Sequence, residues 1–474
     1  MVFSSITFLI YFLPAFLLLY HIADKRFKNI IILLASIIFY SWGAPKFIFV
    51  ILGTTFLDFH LVQMMDKTKS ELQRKLFLLA SLSINVGLLF YFKYCNFFVD
   101  NINILLESLS ISPMNWTKLL LPIGISFYTF ETITYVVDVY RRIHKPLNKF
   151  WDYQLYIILF PKLIAGPIIR YHDLADQITD REQNETVEKI FQGFYRFSLG
   201  LSKKVLIANY FGQLADTGFT TDFSTLGTID AWITILAYTF QIYFDFSGYS
   251  DMAIGLAKMI GFHFPENFNH PYTSSSITEF WRRWHISLGT WMRNYLYIPL
   301  GGNRVKTERR HYFNLWLVFL ISGFWHGASW NFIIWGAFHG AFLVLEKGPL
   351  QKIHSFIGRI PSVFLTFFIV MIGWVFFRIE SFPHAIEFIR LLFTIKASSI
   401  TTFEAQLYFY LFIGSLFSFF ILIPGGKRIN EIFYSETSNR VQNYIKLISS
   451  IILLILSISF ITASGFNPFI YFRF

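Results

Sequence analysis

The sequence predicts an all-α polytopic membrane protein, and three observations carry that prediction. Of its 474 residues, 54% are hydrophobic and only 15% charged, where a soluble domain carries about 25% charged residues. Mean hydropathy is +0.50. Apolar runs recur along the whole chain at the length that crosses a bilayer, roughly 20 residues or fewer where tilt and thinning help. The net charge of +11 requires no nucleic-acid partner, because Lys and Arg cluster in the loops, as cytoplasmic loops of membrane proteins do. Cys95 is the only cysteine, so an internal disulfide and a Cys-rich metal site are both excluded.

Taken in order, the expected spans are 5–22, 29–42, 45–64, 76–94, 119–140, 190–209, 231–256, 312–329, 331–346, 361–379, 406–424 and 443–463. The first has no basic n-region and no small-residue cleavage site, so it reads as a retained span and not a signal peptide. Lys25, Arg26 and Lys28 follow it; Lys67, Lys69, Arg74 and Lys75 follow the third; Arg141, Arg142 and Lys145 follow the fifth. These exits are basic and should be cytoplasmic. The loop 210–230 holds Asp216, Asp222 and Asp230 with no Lys or Arg, and should lie outside. Trp281–Arg310 carries seven Arg/Lys against one Glu, and Lys347, Lys352, Lys427 and Arg428 continue the alternation. Lys93 and Lys118 lie near span ends, where snorkelling is easy. The expectation is one integral-membrane domain, 1–474, with twelve crossings, both termini extracytoplasmic, and residues 281–310 a cytoplasmic interfacial helix and loop.

Two stretches depart from the plain pattern. Residues 151–172 contain Pro161, Lys162 and the Gly166-Pro167 pair within apolar flanks. Irregular backbone at membrane depth must be enclosed by protein or line a wet cavity, so a re-entrant hairpin is expected, the other reading being a Pro-kinked span. Residues 178–189 form a short polar stretch. The seventh span carries Gln241, Asp245, Ser247, Ser250 and Asp251. Asp245 and Asp251 are six residues apart and share no tight helical face. They are either structural, with Lys203 and Lys204 as partners, or part of the chemistry.

The chain is organised around Glu279–His326. Arg282, Arg283, Arg293 and Arg304 interrupt its first half too often for a span. Phe280, Trp281, Trp284, Trp291, Tyr295 and Tyr297 fit a headgroup-level helix. The second half delivers His326 deep into an apolar helix, a costly place for an ionisable group. Either His326 hydrogen-bonds a backbone carbonyl, or it is functional.

The motifs FWRRWHISLGTW…YLYIPLGGNR, GFWHGASWNFIIWGAFHG and YFDFSGYSDMAIG, with the N-terminal MVFSSITFLIYFLP and the C-terminal NPFIYFRF, together resemble the membrane-bound O-acyltransferase family. The bacterial alginate and peptidoglycan O-acetyltransferase branch is the nearest in pattern. Two positions depart: Asn294 stands where that branch usually has Asp, so no carboxylate role is carried over, and Gly289 stands where Ser is common.

The resemblance implies a ring of about twelve tilted helices, with re-entrant and interfacial helices, around a central tunnel. It also implies a site in the bacterial inner membrane where a cytoplasmic thioester, acetyl-CoA or a related donor, passes its acyl group outward. O-acyl transfer needs a base for the attacking hydroxyl and polar groups for the oxyanion. The resemblance puts that base at His326 and a second polar position at His285, which binds the donor, orients the acyl group or supports the structure. Arg282, Arg283 and Arg293 suit the donor's phosphates, or anionic lipid headgroups. No resident cofactor or metal is expected: P-loop, HExxH and GxSxG patterns are absent. A separate extracytoplasmic partner of the SGNH-hydrolase type is implied, which esterifies the polysaccharide. The tail 465–474 is expected outside, either as an aromatic anchor or with Tyr471 as a covalent acyl relay, as in the related teichoic-acid branch. The competing readings are a transporter or flippase, which paired half-helices in two related halves would mark, and a non-enzymatic assembly platform.

Overall fold

A computed structural model of the chain describes residues 1–397, 405–435, 439–464 and 469–470. Among the described residues the regular structure is helical, with one isolated β-bridge between Phe268 and Trp284. The helices pack as two compact units: unit 1 is Met1–Gly193 with Ala253–Pro265, and unit 2 is Phe194–Met252 with Glu266–Phe474.

Unit 1 opens with a π-helical turn, Thr7–Phe12, running into α1 (Leu13–Ile22). Next come α2 (Lys25–Gly43), capped by the Asp24 side chain on the Arg26 N–H, and α3 (Ile48–Lys67). Then α4 (Glu71–Leu89) continues through a π-helical turn into α5 (Cys95–Ser108) as one 38-residue helix. The expected fourth span therefore runs well past residue 94. Pro122 and the left-handed Gly124 delay α6 to Ile125–Tyr140, leaving 119–124 of the expected fifth span outside it.

The stretch expected to be broken is broken. α7 (Phe150–Ile158) stops at Leu159, and α8 (Phe160–Leu163) restarts with Pro161 in its first turn, where a missing N–H costs nothing. The freed backbone is enclosed within unit 1. Ser36 Oγ accepts from Phe160 N (3.1 Å), and Tyr156 Oη donates to the Ile169 carbonyl (3.0 Å). The Lys162 ammonium pairs with the Glu131 carboxylate, both fully enclosed. α9 (Tyr171–Thr179) follows.

α10 (Val187–Ser202) continues through the π-helical turn Lys203–Ala208 into α11 (Asn209–Thr220), and α12 spans Thr228–Met259. In unit 2, Gly200 and Gly248 let α10 and α12 touch through backbone: a Cβ on either would lie 2.5–2.7 Å from the other's carbonyl oxygen.

The stretch expected to be one interfacial helix is divided into α13 (Ile277–Arg283) and α14 (Ile286–Met292), the latter continuing as a π-helical turn to Tyr297. Phe280, Trp284 and Trp291 are buried in unit 2, so these aromatics are core and not a headgroup-facing belt. The break at Trp284–His285 rotates them inward.

α15 (Glu308–His326) and α16 (Trp330–Leu345) pack closely because Gly323 and Gly336 present no side chain to each other's backbone. α17 (Pro349–Ile357) and α18 (Arg359–Arg378) follow, then α19 (Phe382–Phe393), α20 (Ala405–Phe419), α21 (Gly426–Tyr434) and α22 (Arg440–Ser464). The short helices α17, α19 and α21 were not expected, since none approaches the length of a span.

Among the described residues, five helices are long and apolar enough to cross a membrane: Ile48–Lys67, Glu71–Ser108, Arg359–Arg378, Ala405–Leu422 and Arg440–Ala463. Thr7–Ile22 and Trp330–Leu345 are apolar but shorter. The protein is therefore a membrane protein by its helices. Other expected spans are helical but interrupted by polar residues; α12 carries Gln241, Asp245 and Asp251 near its middle and end.

Breaking the buried Lys162–Glu131 pair should cost more than removing it. We expect Lys162→Met alone to lower the thermal stability of the detergent-solubilised protein, as a loss of about 3–5 kcal/mol would. Glu131→Leu with Lys162→Met should recover most of that loss. Equal stability of the single and double variants would contradict this account of the broken segment.

Candidate active site

The site residues of unit 2 are positioned from α12 outward. Asp245 and Asp251 are buried, and six residues along an α-helix turn them about 120° apart. Each meets a different one of two adjacent lysines: Lys204 Nζ lies 2.9 Å from Asp245 Oδ1, and Lys203 Nζ 2.6 Å from Asp251 Oδ2. Arg196 adds a second cation to Asp251 at 2.6 Å and also reaches Glu266 at 2.6 Å. Both lysines named in the sequence thus have the partners expected of them.

After α12, two residues in left-handed conformation, His270 (φ 46°) and His285 (φ 47°), shape the chain. Such φ values are uncommon outside glycine. Asn269 N donates to the Arg283 carbonyl, and Ile286 N to that of Asn267, which brings Asn267 beside His285. Asn267 Oδ1 accepts from Ser287 N (3.2 Å) and Ser287 Oγ (2.9 Å) and lies 3.1 Å from His285 Nδ1. Asn267 Nδ2 donates to Ser250 Oγ at 3.1 Å.

A backbone N–H can only donate, so the Asn267 atom facing Ser287 N is the oxygen. His285 Nδ1 must therefore carry the hydrogen in the neutral ring. Its Nε2 is then a lone pair, buried and without a hydrogen-bond partner among the described residues. Phe246 closes one side of the ring edge-on at 4.7 Å.

His326 ends α15 and is buried. Trp325, Trp335 and Phe377 surround it at ring-centroid distances of 4.9, 5.1 and 5.3 Å. Trp325 is also 6.5 Å from His285, so the two candidate histidines share one tryptophan. Trp335 separates His326 from His339, at 5.1 Å from each.

The three arginines differ. Arg282 and Arg293 are exposed. Arg283 is half-buried and engaged, with Glu279 at 2.5 Å and a bond to Thr273 Oγ1 at 2.9 Å.

The described part of the tail enters the same cluster. Phe469 stacks on Tyr249 (4.6 Å) and lies 6.1 Å from Phe246, and Ile470 N donates to Asp245 Oδ2 at 2.7 Å. Tyr471 lies outside the described residues. Sequence reasoning named Ser250 only as part of the polar run of the seventh span; it missed Asn267 and Ser287, which with Ser250 orient His285, and also Trp335 and Phe377, which wall His326. Asn267 lies in the irregular segment between α12 and α13, where no periodicity marks a pairing. Among the described residues no three His, Cys, Asp or Glu side chains converge as metal ligands would.

A family model described as the membrane-bound O-acyltransferase family matches residues 141–382. The chain is 47% identical over 385 residues to a probable alginate O-acetylase of Pseudomonas aeruginosa, covering 80% of this chain and 72% of that protein. It is 38% identical over 423 residues to a peptidoglycan O-acetyltransferase of Helicobacter pylori, covering 82% and 79%. A teichoic acid D-alanyltransferase of Bacillus subtilis is 28% identical over 286 residues, covering 55% and 70%.

Asp245 should hold the tail in place. A hydrogen bond to a charged group is worth about 1.5–3 kcal/mol, so its loss should raise exposure of the tail by about tenfold or more. In a Cys95→Ser background, Phe469→Cys should react slowly with maleimide. Adding Asp245→Ala should accelerate labelling by about that factor; an unchanged rate would show that Asp245 does not anchor the segment.

Proposed function

The chain belongs to the membrane-bound O-acyltransferase family and is an O-acyltransferase; from that premise we propose that it moves an acetyl group from a cytoplasmic thioester across the membrane for O-acetylation of an extracytoplasmic polysaccharide. The observation that carries the reading is the pair of buried histidines, His326 and His285, both in ring contact with Trp325. The alginate and peptidoglycan O-acetylases among its relatives support the acetyl group and the polysaccharide. A transporter or passive platform would leave the histidine pair without a role.

In this mechanism His326 takes the proton from an attacking hydroxyl as its oxygen bonds to the thioester carbonyl carbon. The tetrahedral intermediate collapses, the C–S bond breaks, and the thiolate leaves and is protonated. The Nδ1–H tautomer leaves His285 Nε2 able to accept but not to donate, which supports a role in orienting a donor N–H or O–H over one in stabilising the oxyanion. Acetyl-CoA is the proposed donor. Arg282 and Arg293, exposed and basic, suit its phosphates, and Arg283, held by Glu279 and Thr273, shapes that surface.

The hydroxyl is proposed to be Tyr471, whose acyl ester is then passed to an SGNH-type partner outside. Support comes from the anchoring of Phe469 and Ile470 against Tyr249 and Asp245, in the cluster that closes over His285. The plain alternative leaves the tail an aromatic anchor. On this reading the chain lies in the bacterial inner membrane, with about twelve tilted crossings around a central tunnel, lipids outside it and both termini extracytoplasmic.

His326→Ala and Tyr471→Phe should each abolish polysaccharide O-acetylation while membrane levels of the protein stay normal. His285→Ala should reduce it less. Substantial acetylation by the His326 variant would retire the assignment, and normal acetylation by Tyr471→Phe would leave the tail an anchor. Arg282→Gln with Arg293→Gln should raise the KM for acetyl-CoA more than it lowers kcat, as lost ground-state binding does; an unchanged KM would assign these arginines to lipid.

A further inference from the structure

Unit 1 contains a cavity of about 630 Å³ between the first turns of α2 and α7, the loop 144–149 and the segment that follows α9. Most of its charges are satisfied locally. Lys25 pairs with Glu182 at 3.1 Å and Lys28 pairs with Glu185. Arg181 donates to Asn29 Oδ1 at 2.7 Å, and Asn29 donates to Asp152 Oδ1 at 3.1 Å. Asp180 accepts from Glu182 N at 3.1 Å, and Arg26 lies 3.6 Å from Asp24.

Lys145 and Lys149 are different. Both line the cavity and both are exposed. Among the described residues, neither ammonium has an ion pair or a hydrogen bond. Lys149 is also the N-cap position of α7, whose first turn carries no side-chain cap. The helix end itself is already complemented by Asp152 in its first turn, so the cavity's open charge is these two uncommitted cations. Arg181, also in its wall, is buried and engaged: its Nε donates to the Ile260 carbonyl at 3.1 Å and its guanidinium lies 4.5 Å over the Phe262 ring.

The apolar surroundings narrow the ligand. Trp151, 62% exposed, and Ile30, 48% exposed, also line the cavity. Ile30, Leu34 and Ile38 recur at four-residue spacing and are all exposed, forming one apolar stripe along α2 that starts at the cavity. A soluble phosphate compound has no use for that stripe, whereas an acyl chain does.

We propose that this cavity binds the phosphodiester headgroup of an anionic phospholipid, held by Lys145 and Lys149, with Trp151 at the glycerol level and an acyl chain along Ile30, Leu34 and Ile38. The site stands independently of the acyl-transfer reading, since it uses none of the residues assigned there.

The test uses the full-length protein in nanodiscs of phosphatidylcholine alone or of phosphatidylcholine and phosphatidylglycerol at three to one. Native mass spectrometry after release counts the lipid that stays bound. The parent should retain phosphatidylglycerol in preference to phosphatidylcholine. Lys145→Gln with Lys149→Gln should reduce that retention, on the order of fivefold for each lysine at a membrane surface, with helix content unchanged by circular dichroism. Trp151→Ala should weaken retention of both lipids. Equal retention of the two lipids, or equal retention by parent and double variant, would overturn the proposal. Displacement of the bound lipid by millimolar pyrophosphate, with no preference between lipids, would overturn it in favour of a soluble phosphate ligand.

Discussion

A charge placed where water is scarce must be paired, and that constraint shapes unit 2. Asp245 and Asp251 on α12 each need a cation, and the cations are adjacent, Lys204 and Lys203. Both pairs can close only if α10 and α12 meet at backbone contact, which Gly200 and Gly248 allow. Once α12 is held there, Phe246, Tyr249 and Ser250 have fixed places along it. Phe246 covers His285, Tyr249 receives Phe469, and Ser250 accepts from Asn267, which orients His285. The candidate site is in this sense built on a pair of salt bridges.

Asp245 has a second partner, and this connects packing to chemistry. Its other oxygen takes the Ile470 N–H, so the carboxylate that locks α12 also holds the start of the aromatic tail. The bond it accepts from the tail is charge-assisted, since the same carboxylate meets Lys204. An apolar isostere at residue 245 could pack α12 but could not receive the tail.

Much of this was legible in the sequence, and the reasons differ by residue. Asp245, Asp251 and the two lysines are conspicuous because charged residues in apolar runs have few admissible partners. The break within 151–172 was legible because Pro161 and Gly166-Pro167 act through local sterics; the pairing of Lys162 with Glu131 was not, since the two lie on different helices. His326 stood out by its depth in an apolar helix, and its expected role as base came from the family resemblance. The environment of His285 was not legible, because it depends on left-handed turns at His270 and His285 that bring Asn267 back against the chain. The inward rotation of Trp284 and Trp291 was hidden for a similar reason: a pattern drawn for one helix misleads when the chain makes two short ones. Helices such as α19 and α21 escaped because a span-length criterion does not register nine to twelve residues.

The account stands or falls on acyl transfer from a thioester. The most direct measurement incubates the purified, reconstituted protein with acetyl-CoA labelled in the acetyl group, with and without an extracytoplasmic acceptor protein. It follows both free CoA and labelled product. The account predicts CoA release accompanied by label on the protein or its acceptor. No CoA release and no labelled product, with the acceptor present, would contradict it.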